Sequence, residues 1–447
     1  MIYGKISKLV SIYKAMPPKI SQHFKSRQPS SIRMAQFEYA KRHDGVKAIN
    51  LAIGNISLPM HPAMKEKMLM LQATQLENGV VKYSPTAGFE NAQKTFLHLI
   101  TSSGFDSVGL YCQVTDGGSQ AMEMAILGVC GPAGSDESPL MLIEPAYTNY
   151  RQFAQRLGRK VVSVNRELND KGEFELPDLK KIEKLIQKYK PGALVIIPFD
   201  NPTGQLYTSE MMLNLAKLCV EYDMWIISDE AYRNFYYQGK NVSIWGIDNE
   251  QLADIEGRRI SIETSSKAFN ACGLRVGALV TDNAEFYHKS VAEYTANLSP
   301  NTIGQIIFST LLDQNKDDLE KWYQQQRTYY QEMMDEVYVG LKRLEPKLIV
   351  SQPQAALYSV IDVRKMVSKN FSADAFVLWA AYEGWAEIEN KKLTLLLAPM
   401  SGFYSVENAE SGRTQFRLAY VESLDKMKLV PQLFVKLLEK YLITYDK

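Results

Sequence analysis

From Tyr111 onward the chain alternates short, almost continuous apolar runs with longer stretches of helical periodicity. The runs occupy residues 111–115, 140–144, 161–165, 193–198, 225–228, 259–264 and 276–281. Runs this apolar suit strands buried on both faces, as in parallel sheets covered by helices. Helical patterns at 120–129, 177–189 and 208–222 fall between them. Such alternation predicts an α/β fold around a largely parallel, seven-stranded sheet lying between helices. Sheets of this kind bind ligands outside the carboxyl ends of their strands. Here those ends hold Gly117, Gly118, Ser119, Tyr147, Asn201, Asp229 and the stretch from Thr264 to Lys267.

The flanking chain has a different texture. A short strand at 47–53 is closed by Gly54, and a helix is expected at 63–73. A turn-rich segment at 81–88 precedes a helix with apolar positions Ala92, Phe96, Leu97 and Ile100. Beyond Pro300 one long helical pattern runs to Leu344 and stops before Pro346. Strands near 348–351, 356–361, 393–398 and 415–419, with a helix at 373–383, predict a smaller α+β second domain. The expected division is 1–60 as an arm plus part of the small domain, 61–314 as the large domain, and 315–447 as the small domain.

Composition narrows the function classes. A net charge of +1 over 447 residues argues against a nucleic-acid footprint across the surface. No apolar run approaches the roughly 20 residues of a membrane span. Cys112, Cys130, Cys219 and Cys272 are widely spaced, which suggests buried thiols in a reducing compartment rather than a disulfide framework or a zinc site. The stretch before Glu38 is basic and lacks acids, but Pro17 and Pro18 interrupt any amphipathic targeting helix. It reads as an extra arm on a cytoplasmic protein.

Five stretches hold candidate chemistry. Thr264, Ser265, Ser266 and Lys267 end a strand, with Arg275 eight residues on between two glycines, Gly273 and Gly277. An amine so placed can act as a Schiff-base nucleophile, and hydroxyls with an arginine fork suit a phosphate. A solvated lysine in a serine-rich loop is the plain alternative. Gly117-Gly118-Ser119 lies between a strand and a helix, where backbone N–H groups can bind an anion, although such turns are common. Asn201, in Asp200-Asn-Pro-Thr-Gly204, and Asp229, in Ser228-Asp-Glu-Ala-Tyr232, sit at neighbouring strand ends. A turn and a helix N-cap are the structural alternatives for them. Arg417 lies within a predicted strand, where a planar fork can clamp a carboxylate, and Arg413 is its rival.

Taken in order, these motifs resemble the class I/II aminotransferase family, pyridoxal-phosphate enzymes of fold type I like aspartate aminotransferase. The resemblance runs from about Ser30 to the C-terminus. It implies that Lys267 binds the cofactor covalently and later shuttles a proton, while Asp229 pairs with the pyridinium nitrogen. It also implies Asn201 and Tyr232 at the ring's phenolic oxygen, Tyr147 stacked on the ring, and Gly118, Ser119, Thr264, Ser266 and Arg275 around the phosphate. Tyr83 would reach the phosphate across a homodimer interface. Arg417 would clamp the substrate's α-carboxylate, with Gly54 nearby. The implied partners are an amino acid and a 2-oxo acid.

Departures from the family pattern are visible. Thr264 stands where Ser is usual, and Gly54-Asn-Ile-Ser57 replaces Gly-x-Pro-Asp. Residues 287–297 contain Lys289 and Glu293 but no arginine, so a preference for aspartate by that route is not expected. The rival activities are a lyase on the same fold and a ligand-sensing domain of a DNA-binding regulator. The second would need a helix-turn-helix domain ahead of Ser30, for which about 30 residues are too few.

Overall fold

The computed structural model describes residues 19–27, 29–71, 79–135 and 138–445. The expected N-terminal arm as far as Pro18 and the end of the expected helix at Ala73 lie outside the described residues. In chain order the strands are β1 (Lys47–Asn50), β2 (Tyr111–Thr115), β3 (Leu140–Glu144), β4 (Val161–Asn165) and β5 (Ala193–Ile196). Then come β6 (Trp225–Asp229), β7 (Arg259–Thr264), β8 (Gly277–Thr281), β9 (Ile349–Val350) and β10 (Tyr358–Asp362). The last are β11 (Ala386–Ile388), β12 (Lys391–Leu396), β13 (Ala398–Pro399) and β14 (Gln415–Ala419).

The seven apolar runs form one sheet, ordered β2-β8-β7-β6-β5-β3-β4. Every residue of β3, β5 and β8 is buried, which is why the sequence shows no polar alternation there. The interior pairs are parallel, and only β8 runs against both neighbours. Its direction follows from its connection. The link from β7 contains a turn of 3₁₀ helix at Cys272–Leu274 and no crossover helix, so the chain returns antiparallel. The amino end of β8 therefore meets the carboxyl ends of β2 and β7 at one edge.

Two further sheets make the smaller half. One is antiparallel, β13-β14-β10-β9, and the other is β1-β12-β11, in which β1 pairs with β12 in parallel. Their core includes Ile49, Val337, Ile361, Phe376, Leu395, Phe416 and Phe434. The helical pattern after Pro300 is not one helix. It comprises Thr302–Phe308, a 3₁₀ turn at Ser309–Asp313, and Lys316–Leu344. Asn315 sets the break, because its side chain accepts from the Asp318 N–H and starts the new helix. That helix links both halves: Trp322 Nε1 donates to the Ala268 carbonyl at 2.8 Å, and Met333 and Leu341 enter the second core. Among the described residues no helix is long and apolar enough to cross a membrane, and no cluster suited to a metal ion occurs.

Candidate active site

The turn after β7 is shaped by its own hydroxyls. Thr264 Oγ1 donates to Ser266 Oγ at 2.7 Å, and Ser265 Oγ donates to the Val276 carbonyl at 3.2 Å. Arg275 closes the turn in a left-handed conformation, φ 53°, with Nη1 on the Cys272 carbonyl and Nη2 on the Asp116 carbonyl. Gly117 faces it across the edge. The φ of Gly117 is +85°, which requires glycine, and a Cβ there would lie 2.4 Å from the Arg275 guanidinium and push it aside. The helix Gly118–Cys130 starts there with no side-chain cap and no acid in its first turn. Its amide dipoles, the two hydroxyls and the guanidinium form a cationic cup.

Asp229 ends β6, half-buried at the carboxyl edge of the sheet. Tyr150 donates its hydroxyl to one carboxylate oxygen, and the Ala231 N–H reaches the other at 3.1 Å. Burial raises the Asp229 pKa above its ordinary value, with Glu263 adding to the rise, while the Tyr150 bond opposes it. Neither hydrogen-bond partner is a cation, so the carboxylate is suited to receive one. Lys267 Nζ donates to the Gly54 carbonyl. Tyr147 is half-buried at the cleft, where desolvation pushes its phenol up to about 12, and its hydroxyl accepts from Asn149 Nδ2 at 3.0 Å.

Arg417 lies on β14, the strand between β13 and β10. Its guanidinium sits over the rings of Tyr358 and Phe403 at 4.6 and 4.9 Å. Nη1 donates to Asn201 Oδ1 at 3.0 Å and Nη2 to the Ala52 carbonyl at 2.6 Å, while the buried Nε has no partner. Arg413 bonds Glu410 and the Phe371 carbonyl instead, and it is not among the residues lining the cleft.

These groups converge on one cleft of about 310 Å³. Gly54, Gly118, Ser119, Tyr147, Asn201, Asp229, Tyr232, Thr264, Ser266, Lys267, Arg275 and Arg417 all line it. Tyr83 does not; it is 76 % exposed on the outer surface of this chain. Two tyrosines were missed in the sequence. Tyr150 lies one helical turn beyond Tyr147, a spacing that could have suggested it. Tyr358 hydrogen-bonds Tyr232, hydroxyl to hydroxyl, at 2.5 Å, but it sits in an apolar run and reads as core. Cys272 departs from the other three thiols, being half-buried at the cleft with Sγ 3.4 Å from Asn55 Oδ1.

Residues 46–395 match the profile of the family described as aminotransferase class I and II. The chain belongs to this family. It is therefore a transaminase, and enzymes of this class depend on pyridoxal phosphate. The aspartate/prephenate aminotransferase of Thermus thermophilus is 26 % identical over 322 residues, covering 72 % of this chain and 78 % of that protein. Aromatic-amino-acid aminotransferase 2 of Thermococcus litoralis is 24 % identical over 92 % of this chain and 95 % of its own. Among solved structures, a single mutant of Thermus thermophilus aspartate aminotransferase superposes with a TM-score of 0.77 at 22 % identity, covering 94 % of this chain and all of the other. N-succinyldiaminopimelate aminotransferase from Mycobacterium tuberculosis gives 0.77 at 19 %, with 94 % and 100 % coverage. Both likenesses confirm the aspartate-aminotransferase-like fold of this aminotransferase.

The donor set of this aminotransferase fits the family's cofactor. A cationic cup suits a phosphate, a half-buried carboxylate whose hydrogen-bond partners are both neutral suits a protonated pyridine nitrogen, and a lysine amine lies in the same cleft.

Proposed function

We propose that this chain uses pyridoxal 5'-phosphate to move an amino group between an amino acid and a 2-oxo acid, with Lys267 as the anchoring residue. The observation that supports this most is the convergence of Lys267, Asp229 and Arg417 in one cleft, from strands far apart in sequence. The names of the relatives, aspartate/prephenate and aromatic-amino-acid aminotransferase, support α-amino acids as the substrate class.

In this reading Gly118, Ser119, Thr264, Ser266 and Arg275 hold the phosphate. Tyr147 covers the ring face, and Asn201 and Tyr232 address its phenolic oxygen. Bound there, the cofactor supplies an electron sink for the pair left at the substrate's α-carbon. Asp229 holds a proton on the ring nitrogen. Arg417 fixes the substrate's α-carboxylate through the fork it already presents between two aromatic rings, with Gly54 close by. Lys267 Nζ then takes the α-carbon proton as general base and returns it as general acid. Tyr83 reaches the phosphate of a second subunit in a homodimer. The large unit is 61–314, with 315–447 and the chain before residue 61 forming the small one; the helix Lys316–Leu344, which enters the second core, supports that division. Four free cysteines agree with a cytoplasmic, reducing location.

Borohydride reduction of the cofactor-treated protein, followed by peptide mapping, tests the anchor. The expected label is on Lys267, and a label on another lysine would overturn the assignment. Amino acid added without an acceptor should release one equivalent of 2-oxo acid and stop. Continued turnover with cleavage of the substrate would instead establish a lyase.

A further inference from the structure

We infer that Tyr358 is a positioning residue of the site: its hydroxyl donates to Tyr232 and so turns the Tyr232 proton toward the cofactor's phenolic oxygen. This rests on the transaminase reading, in which Tyr232 addresses that oxygen. The two hydroxyls lie 2.5 Å apart, with ring centroids 5.7 Å apart and planes at 78°. Both residues are buried, 2 % exposed for Tyr358 and 5 % for Tyr232. Among the described residues neither hydroxyl bonds another group. One phenol therefore donates to the other, and the second keeps its own proton for a further acceptor.

The surroundings decide which is the donor. The Tyr358 hydroxyl faces Gly54 so closely that a Cβ there would meet it at 2.5 Å, and the Gly54 carbonyl already receives Lys267. A proton sent that way finds no free acceptor. The Tyr358 ring also lies under the Arg417 guanidinium at 4.6 Å. A cation on the face of a phenol draws electron density from the ring and makes its hydroxyl the better donor. Tyr232 sits in the turn after β6, three residues past Asp229, and lines the cleft. Burial raises its phenol well above the ordinary value, so it keeps a proton to give.

The pair is held from both halves of the molecule. Tyr358 begins β10, which runs antiparallel to β14, so the phenol and Arg417 are fixed on neighbouring strands of one sheet. The charged and titratable groups facing the pair are Arg417 on β14, Asp229 at the end of β6, Lys267 after β7, Tyr147 before the helix Thr148–Arg156, and Tyr330 on the long helix. All of them stay in place in the variants below. A hydroxyl that accepts a hydrogen bond donates its own more strongly. Tyr358 thereby strengthens the bond from Tyr232 to the phenolic oxygen, and such a bond favours the charged form of the oxygen that accepts it. The cofactor held by Lys267 then gives up its proton at a lower pH than it would without Tyr358.

The test is an absorbance titration against pH of the full-length protein loaded with pyridoxal 5'-phosphate. Tyr358→Phe keeps the ring against Arg417 and removes only the oxygen, and it should move the midpoint up by about half a pH unit. Tyr232→Phe should move it up further. Adding Tyr358→Phe to Tyr232→Phe should then change nothing, whereas a defect of packing would act in either background. A midpoint unmoved by Tyr358→Phe, or a shift that persists in the Tyr232→Phe background, overturns the inference alone. A midpoint unmoved by Tyr232→Phe, or no pH-dependent absorbance on loading, overturns the reading of Tyr232 and the inference with it.

Discussion

A carboxylate whose partners are a phenol and an amide behaves unlike one in an ion pair, and Asp229 makes the difference measurable. Burial holds its pKa above the ordinary 3.8. Below that value the group is protonated in folded and unfolded chains alike, and no penalty arises. As pH rises past it, the unfolded chain ionises first, and stability is lost until the pH exceeds the raised folded value. Cofactor-free Asp229→Asn should therefore melt above the parent at neutral pH, with the gap closing in acid, as differential scanning calorimetry would show. Its kcat/KM should nevertheless fall on the order of 10³-fold, several kcal/mol of transition-state stabilisation, because the ring nitrogen loses its anionic partner. At Gly54 the expected effect is steric. A Cβ there would lie 2.5 Å from the Tyr358 hydroxyl and 3.5 Å from Lys267 Nζ. Gly54→Ala should impair turnover tenfold or more by displacing groups packed to contact distance, with little change in melting temperature. Lys267, Asp229 and Arg417 were legible in the sequence because a charged side chain closing or interrupting an apolar strand needs a reason. Tyr358 was not, since a tyrosine among apolar residues is explained by packing alone.

At the scale of elements, the turn after β5 is held by an ion pair that the sequence did not announce. Arg166, just past β4, donates to Asp200 at 2.6 Å, and each side chain is 1 % exposed. Thr203 adds a 2.6 Å bond to the same carboxylate, and Arg166 also donates to the Pro145 carbonyl at 2.9 Å. Arg166→Leu would leave Asp200 buried and without its cation, at a cost of about 3–5 kcal/mol. Its urea midpoint should fall accordingly, and Asp200→Asn added to it should recover part of the loss. The strands of the large sheet were legible to within about two residues, because short apolar runs that alternate with longer helical patterns read as strands of a helix-covered sheet. Short strands such as β11 and β13 lack the length to show a period. The helix Leu424–Tyr445 was obscured by Pro431, which packs within reach of Gly340 on the long helix, so close that a Cβ there would meet the proline ring at 2.7 Å.

Viewed whole, the described residues include an exposed apolar group in the loops beside the cup. Val80, Val81, Tyr83 and Leu298 are exposed. Hydrogen bonds from Thr86 to the Leu298 carbonyl and from Thr302 to the Lys82 carbonyl, at 3.0 and 2.9 Å, bind their loops into one surface. Sedimentation velocity should find a dimer, and Val81→Asp should shift it toward monomer while weakening cofactor binding. Tyr83→Phe should raise the cofactor Kd about tenfold, the contribution of one hydrogen bond to a charged group, while leaving the dimer intact. The site itself is spread along the chain from Ser30 to Arg417, and that spread orders events in time. Synthesis proceeds from the N-terminus, and its early segments can fold before the later ones exist. All seven strands of the large sheet, and the cup at its edge, are made by Thr281, whereas β14 follows more than a hundred residues later. On the ribosome, the residues of the cup therefore exist before the arginine of β14 does, while the core of the large sheet waits for Trp322 and Tyr323 on the long helix.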